Sequence, residues 1–330
     1  STGQLRVAGE NISMKNTSDS GLSRQESLNW FAAWWRAWTT FWFTPSNPLL
    51  LGVLRILVGA LLAWSNFVWL LDQEGFFGLS GWQSTGNVWR LNDQPWHWSW
   101  YFPAQTLLAT KSLTFVSLFA AMSLSVGFVT RPAACIALAG YVSAVNRAPL
   151  NTFGFDDVLG IMLVPLIIGT AGARLSVDSI FRKKQSVPNT ETTIALRLIQ
   201  VHLCTLYFFS GCGKLLGASW WEGTALWGAV ANIQYRTIDL TFLAWHPLLI
   251  NALTLGTLFW EVSYAALIWP RLTRPLVLAM AVFVHLGIGL TMGMMEFGLA
   301  MLIANMAFLP PHLNMSQTPP DSKLATGRNT

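Results

Sequence analysis

Residues 49–71 read LLLGVLRILVGALLAWSNFVWLL, a run of 23 in which Arg55 is the single charge. A helix rises about 1.5 Å per residue, so roughly 20 apolar residues match the hydrocarbon thickness of a bilayer. The stretch predicts a membrane-crossing helix, and the rest of the chain is of the same kind. Of 330 residues, 53% are hydrophobic and 11% are charged, with a mean hydropathy of +0.44. Soluble domains carry about 25% charged residues, so a chain this poor in charge needs lipid to cover much of its surface. The 18 Trp and 20 Phe agree, because Trp favours the headgroup region, where the ring is buried and its N–H stays wet.

Outward from that helix, further spans are expected at Leu107–Val129, Pro132–Val145, Val158–Ala173, Thr193–Gly213, Pro247–Trp269, Pro275–Met295 and Phe297–Leu309. The sequence thus predicts an all-α polytopic membrane protein with about eight transmembrane helices, seven to nine being allowed. Residues 28–47 begin LNWFAAWWRAWTTFWF, in which five Trp are interrupted by Arg36 and two Thr; this suits an amphipathic helix lying in the interface. Residues 1–27 and 312–330 are polar and aperiodic, as disordered tails are, and the N-terminal stretch lacks the apolar core of a signal peptide.

The net charge of +5 comes from Lys and Arg placed between apolar segments, which encodes topology and gives no nucleic-acid footprint. With eight spans, 13 of the 20 basic residues fall on the side of the N-terminus and five on the other, while Arg55 and Arg197 lie inside spans. The basic excess predicts cytoplasmic N- and C-termini. The opposite face then receives Asp72–Gln105, Asn146–Asp157 and Lys214–His246, rich in Trp and Gly, which predict short capping helices and turns. Cys135, Cys204 and Cys212 make no disulfide framework; Cys204 and Cys212 are about 12 Å apart on one helix, too far to bridge.

Ionisable residues inside spans are costly and mark function or register. Arg55 and Glu261 both fall roughly 9–12 Å from the same end of the bundle, so a structural ion pair between them is expected. His202 and His285 sit near the middle of their helices, where a histidine serves as an interhelical hydrogen-bond partner or as a proton relay or ligand contact. No His, Cys, Asp or Glu pattern has metal-ligand spacing, so no metal is expected. Lys214 lies in YFFSGCGKLLGASWWEG, between Gly211, Gly213 and Gly217, just before Trp220 and Trp221. As an anchor it reaches phosphate headgroups. If the glycines make a close turn that folds it inward, a Trp-lined pocket favours a neutral amine that acts as a base.

LGVLRILVGALLAW, NRAPLNTFGFDDVLGIMLVPLIIGTAGARLSVDS, YFFSGCGKLLGASWWEG and FVHLGIGLTMGMMEFGLAML occur in that order over Pro48–Pro311. Together they resemble the HTTM family, the bacterial relatives of the vitamin K-dependent gamma-carboxylase membrane domain, and so delimit an HTTM-like domain over 48–311. By that resemblance, Lys214 matches the base that deprotonates reduced vitamin K. His285 matches a histidine of the late helix, Arg55 the arginine of the first span, and Glu261 an acidic position. Against the carboxylase pattern, NRAPLNTFG holds no histidine, and a soluble C-terminal substrate-binding region is not expected here.

The resemblance implies a carboxylase-like or epoxidase-like enzyme that uses a reduced quinone of the vitamin K or menaquinol type. Lys214 and His285 would be catalytic, with Trp220, Trp221 and His202 binding the cofactor. Its setting would be the bacterial inner membrane, with the bilayer, a quinol or lipid-like molecule and another membrane protein as partners. A non-catalytic lipid- or quinone-binding subunit is the alternative. A transporter ranks below both, because the first half has no counterpart to the Gly-rich interruption at Lys214.

Overall fold

The computed structural model describes residues 29–79, 81–91, 98–182 and 187–309. The two expected tails, 1–27 and 312–330, lie outside the described residues, as do Lys183 and Lys184. The chain divides into a unit up to Pro45 and a second from Ser46 onward. In the first, residues 29–43 form helix α1. Its four-residue Trp spacing stacks Trp34 on Trp38 at 5.8 Å.

The second unit is a bundle of apolar helices. These are α2 (Leu49–Leu71), α3 (Leu107–Val126), α4 (Thr130–Arg147), α5 (Gly154–Ile168), α6 (Thr190–Leu215), α7 (Pro247–Leu267), α8 (Arg274–Met292) and α9 (Met295–Asn305). Local chemistry sets their ends. The Thr106 side chain caps α3 by accepting from Ala109 N, and Asn189 caps α6 by accepting from Thr192 N. Pro247 opens α7 at the position where no N–H is needed. Gly127 closes α3 in the left-handed region at φ 74°.

Five of these helices, α2, α3, α6, α7 and α8, are long and apolar enough to cross a membrane. The other three expected spans are helical but differ in kind. The α4 sequence is rich in Ala, Gly, Ser and Thr, α5 has only 15 residues, and α9 has 11. Helix α5 buries Val158, Leu159, Met162, Leu163 and Leu166 inside the bundle, so neighbouring helices cover much of it. The long connections carry short helices at Gln73–Phe77, Thr85–Leu91, Ala218–Trp221 and Ala225–Val230.

The core is one large cluster with two small satellites, around Phe77 and Tyr101 and around Val230 and Ile250. On α2 the large cluster takes Leu51, Leu54, Val58 and Leu62, a helical stripe packed on α3, α5 and α9. Large apolar side chains also face outward, among them Phe119, Phe209, Phe259 and Leu276. A water-exposed surface does not carry such a belt, whereas one covered by lipid does. Close helix crossings use small residues. A side-chain carbon on Gly59 would lie 2.6 Å from Ser125 N of α3, and one on Gly298 would lie 2.5 Å from His285 O of α8.

Candidate functional site

Lys214 stands at the last turn of α6. Tyr207, Ser210 and Lys214 follow each other at three- and four-residue spacing, so they share one face of the helix. That face meets α7. Gly211 permits the approach, since a side-chain carbon there would lie 3.0 Å from Val262 N. The result is a charged cluster within apolar surroundings. Lys214 Nζ lies 2.6 Å from Glu261 Oε2 and donates to Ser210 Oγ at 2.8 Å, while Ser210 donates to Glu261 Oε2 at 3.3 Å. The Trp220 ring centre is 5.3 Å from Nζ, a cation–π distance. The Lys214 side chain is 22% exposed and that of Glu261 10%, so the amine keeps one open side.

About two turns back along α6 from Lys214 the polar stripe continues into the core. Tyr207 Oη is 2.6 Å from His285 Nε2 and accepts from Asn305 Nδ2 at 3.0 Å. Asn305 Oδ1 accepts from Tyr264 Oη at 2.7 Å, and its amide also donates to Met301 O. Tyr207, Tyr264, His285 and Asn305 are all buried. The arrangement that uses every donor has Tyr207 donating to Nε2, which puts the imidazole proton on Nδ1. That nitrogen is buried and has no hydrogen-bond partner among the described residues. Trp260 and Phe297 wall the ring, with centres 6.0 and 5.8 Å away.

The structure therefore brings together Lys214, Glu261 and Trp220, with His285 one hydrogen bond from the same helix face. The expected Arg55–Glu261 pair does not form. Arg55 is on α2, which packs on α3, α5 and α9, whereas the Glu261 helix α7 packs on α6 and α8. The depth counted from helix ends did not make them neighbours: Glu261 has Lys214, while Arg55 bonds near the other end of the bundle. Arg55 Nη2 donates to Leu175 O at 2.5 Å, beneath the α3–α4 turn. Nor do the glycines fold a turn around Lys214: α6 runs on to Leu215, with Gly211 serving helix contact and Gly213 facing open space.

His202 stays away from the cluster. Five residues before Tyr207, it points about 140° around the helix, where it is exposed and bonded through Nδ1 to Leu198 O at 2.7 Å. Trp221 is 65% exposed and donates to Leu215 O at 2.7 Å, so it faces away from the amine while Trp220 faces it. Sequence reading missed Tyr207, Ser210, Tyr264 and Asn305. The i, i+3, i+7 spacing of Tyr207, Ser210 and Lys214 carried a signal for two of them; Asn305 and Tyr264 have none without their partners.

A second polar cluster closes the opposite end of the bundle. Asp178, in the Ser176–Val177–Asp178 motif, accepts from Val129 N at 2.8 Å and Thr130 N at 2.8 Å, and from Thr130 Oγ1 at 2.7 Å. Val129 and Leu175 hold left-handed backbone at φ 47° and 52°, conformations that cost energy in β-branched and bulky residues. Asp178 and Arg55 bond at those strained positions. Burial pushes the Asp178 carboxyl up, but the Thr130 and Val129 bonds and the nearby Arg182 outweigh it and hold the group below the usual carboxylate range.

A family model described as HTTM domain matches residues 43–312. Neither the curated proteins nor the solved structures include a match to the chain.

Proposed function

The chain belongs to the HTTM family of integral membrane proteins, and on that premise we propose that its Lys214–Glu261 pair removes a proton from the hydroxyl of a quinol-type lipophilic molecule. The observation that carries this reading is the 2.6 Å contact between an amine and a carboxylate on apolar helices, open on one side. The contact gives the ammonium proton a direct path to the carboxylate. Glu261 takes the ammonium proton, and Lys214, now a free amine, removes the hydroxyl proton and is an ammonium again. The net change is one proton gained by Glu261, with the Lys214 cation left facing the new negative charge. Ser210 bridges both groups and holds their separation.

The residues present fit a flat hydroxylated ring. Trp220 offers an aromatic face beside the amine, and the buried Nδ1 of His285 is a polar atom in want of a partner. A reduced quinone would supply an ionisable ring hydroxyl and a pair of electrons. Carboxylase-like or epoxidase-like chemistry would follow from that first deprotonation. We place the protein in a bacterial inner membrane with about eight crossings and both termini cytoplasmic, on the strength of the basic-residue asymmetry.

The full chain in phospholipid nanodiscs, supplied with a reduced naphthoquinol, tests the reading through quinol consumption by wild type, Lys214→Ala and Lys214→Arg. Both variants are expected to lose turnover, because an arginine does not give up its proton. Full turnover in both would remove Lys214 from the chemistry.

A further inference from the structure

At the end of the bundle far from Lys214, a cavity of about 200 Å³ opens where α6, the α7–α8 connection, residues 307–309 and the start of α2 meet. Lys214 is 17 residues along α6 from the Arg197 that lines this cavity, about 25 Å at helical rise. Two arginines line it, Arg197 and Arg274, and no Asp or Glu is among the lining residues. The two guanidiniums are close enough to feel each other's charge. Like charges in a half-buried hollow repel, and an anion between them relieves that cost.

Neighbouring groups hold the arginines for such a task. Arg197 Nη1 donates to Gln200 Oε1 at 2.8 Å, and Gln200 in turn donates to Ala307 O at 2.6 Å. Arg274 donates through Nε to Ile268 O and through Nη2 to Trp269 O, the carbonyls just past the C-terminus of α7. The Trp269 ring lies 6.0 Å from the Arg197 guanidinium carbon. One edge of each guanidinium is thereby fixed in direction, as planar recognition of phosphate oxygens requires. Ser46, Asn47 and Thr193 add short polar side chains, and Leu196 and Phe308 add apolar walls.

We propose that this cavity binds the phosphate of an anionic membrane-lipid headgroup. The chemistry recognised is a phosphate ester, and the source is lipid rather than free phosphate for two reasons. The cavity is smaller than the roughly 300–1,000 Å³ of a typical whole-ligand pocket, so it suits a headgroup whose chains lie outside. It also lies at the ends of apolar helices beside a tryptophan, the level at which headgroups sit. The site is independent of the Lys214 cluster.

Retention of lipid by the detergent-purified full chain, read by native mass spectrometry, tests the proposal. Phosphatidylglycerol is expected to be retained about tenfold over phosphatidylcholine, because both carry the phosphate but the choline cation of the latter is repelled by the two arginines. Arg197→Gln and Arg274→Gln should each lower that preference, and the double variant should abolish it. Arg131→Gln, which breaks an exposed ion pair with Glu191 at the same end, should leave it intact. Equal retention of the two lipids by wild type would overturn the proposal, as would unchanged preference in the double variant. A competition arm needs no variant: inorganic phosphate should fail to displace phosphatidylglycerol, and displacement at equal concentration would overturn the lipid assignment.

Discussion

Arg55 and Lys214 are both cations on apolar helices, and the fold treats them in opposite ways. Arg55 is wholly enclosed, with a bond to a backbone carbonyl and the Asp178 charge acting on it. Lys214 touches a carboxylate and a hydroxyl, and a fifth of its side chain stays open. A closed cation that ties down a strained turn has structural work only. One that is paired with a carboxylate and still reachable can exchange a proton. The contrast separates architecture from chemistry where composition alone gives two equal-looking intramembrane charges.

The comparison breaks first at Arg55. Arg55→Ala removes a fully buried side chain and orphans the Leu175 carbonyl, so about 3–5 kcal/mol of stability should go. Denaturant unfolding in detergent micelles would read it, while quinol consumption by the protein still folded should hold. Glu261→Ala is next: it leaves Lys214 without its carboxylate at a partly open site, costing about 1–3 kcal/mol. The Lys214→Ala/Glu261→Ala double variant should regain part of that loss, a coupling that a double-mutant cycle measures. Tyr207→Phe keeps the ring but deprives His285 and Asn305 of a partner, for about 1–2 kcal/mol.

Asp178 makes a smaller, pH-dependent contribution. Its folded carboxyl lies below the usual value, so its stabilisation is present above about pH 4 and fades as pH falls through the folded value. Asp178→Asn should flatten that acid limb of the stability profile; an unchanged limb would show that Asp178 does not brace the turn. The smallest effects belong to His202→Ala and Trp221→Phe, both on exposed faces, which should alter quinol consumption little.

The membrane character and the positions of the apolar helices were legible because hydropathy and length act locally. Lys214 also stood out in the sequence, through its glycines and tryptophans and the order of motifs around it. Its partner was not. Glu261 was matched to Arg55 by depth alone, and depth does not say which helices are adjacent. That depends on packing details such as the Gly211 approach to Val262. Asn305 was equally hidden, because an asparagine on a short apolar helix gives no sign of the two tyrosines it joins. The stretch that ends in Ser176–Val177–Asp178 was readable as one of the four resembling segments, but the job of Asp178 at Val129 and Thr130 needed the fold.

The proton's destination tests the central claim most directly. Infrared difference spectroscopy on the full chain in nanodiscs, before and after a reduced naphthoquinol is added, reads carboxyl protonation. A carboxylic-acid band should appear on addition and be absent in Glu261→Gln, as expected if the Lys214–Glu261 pair stores the proton. Quinol binding with no such band, or a band that persists in Glu261→Gln, would contradict it.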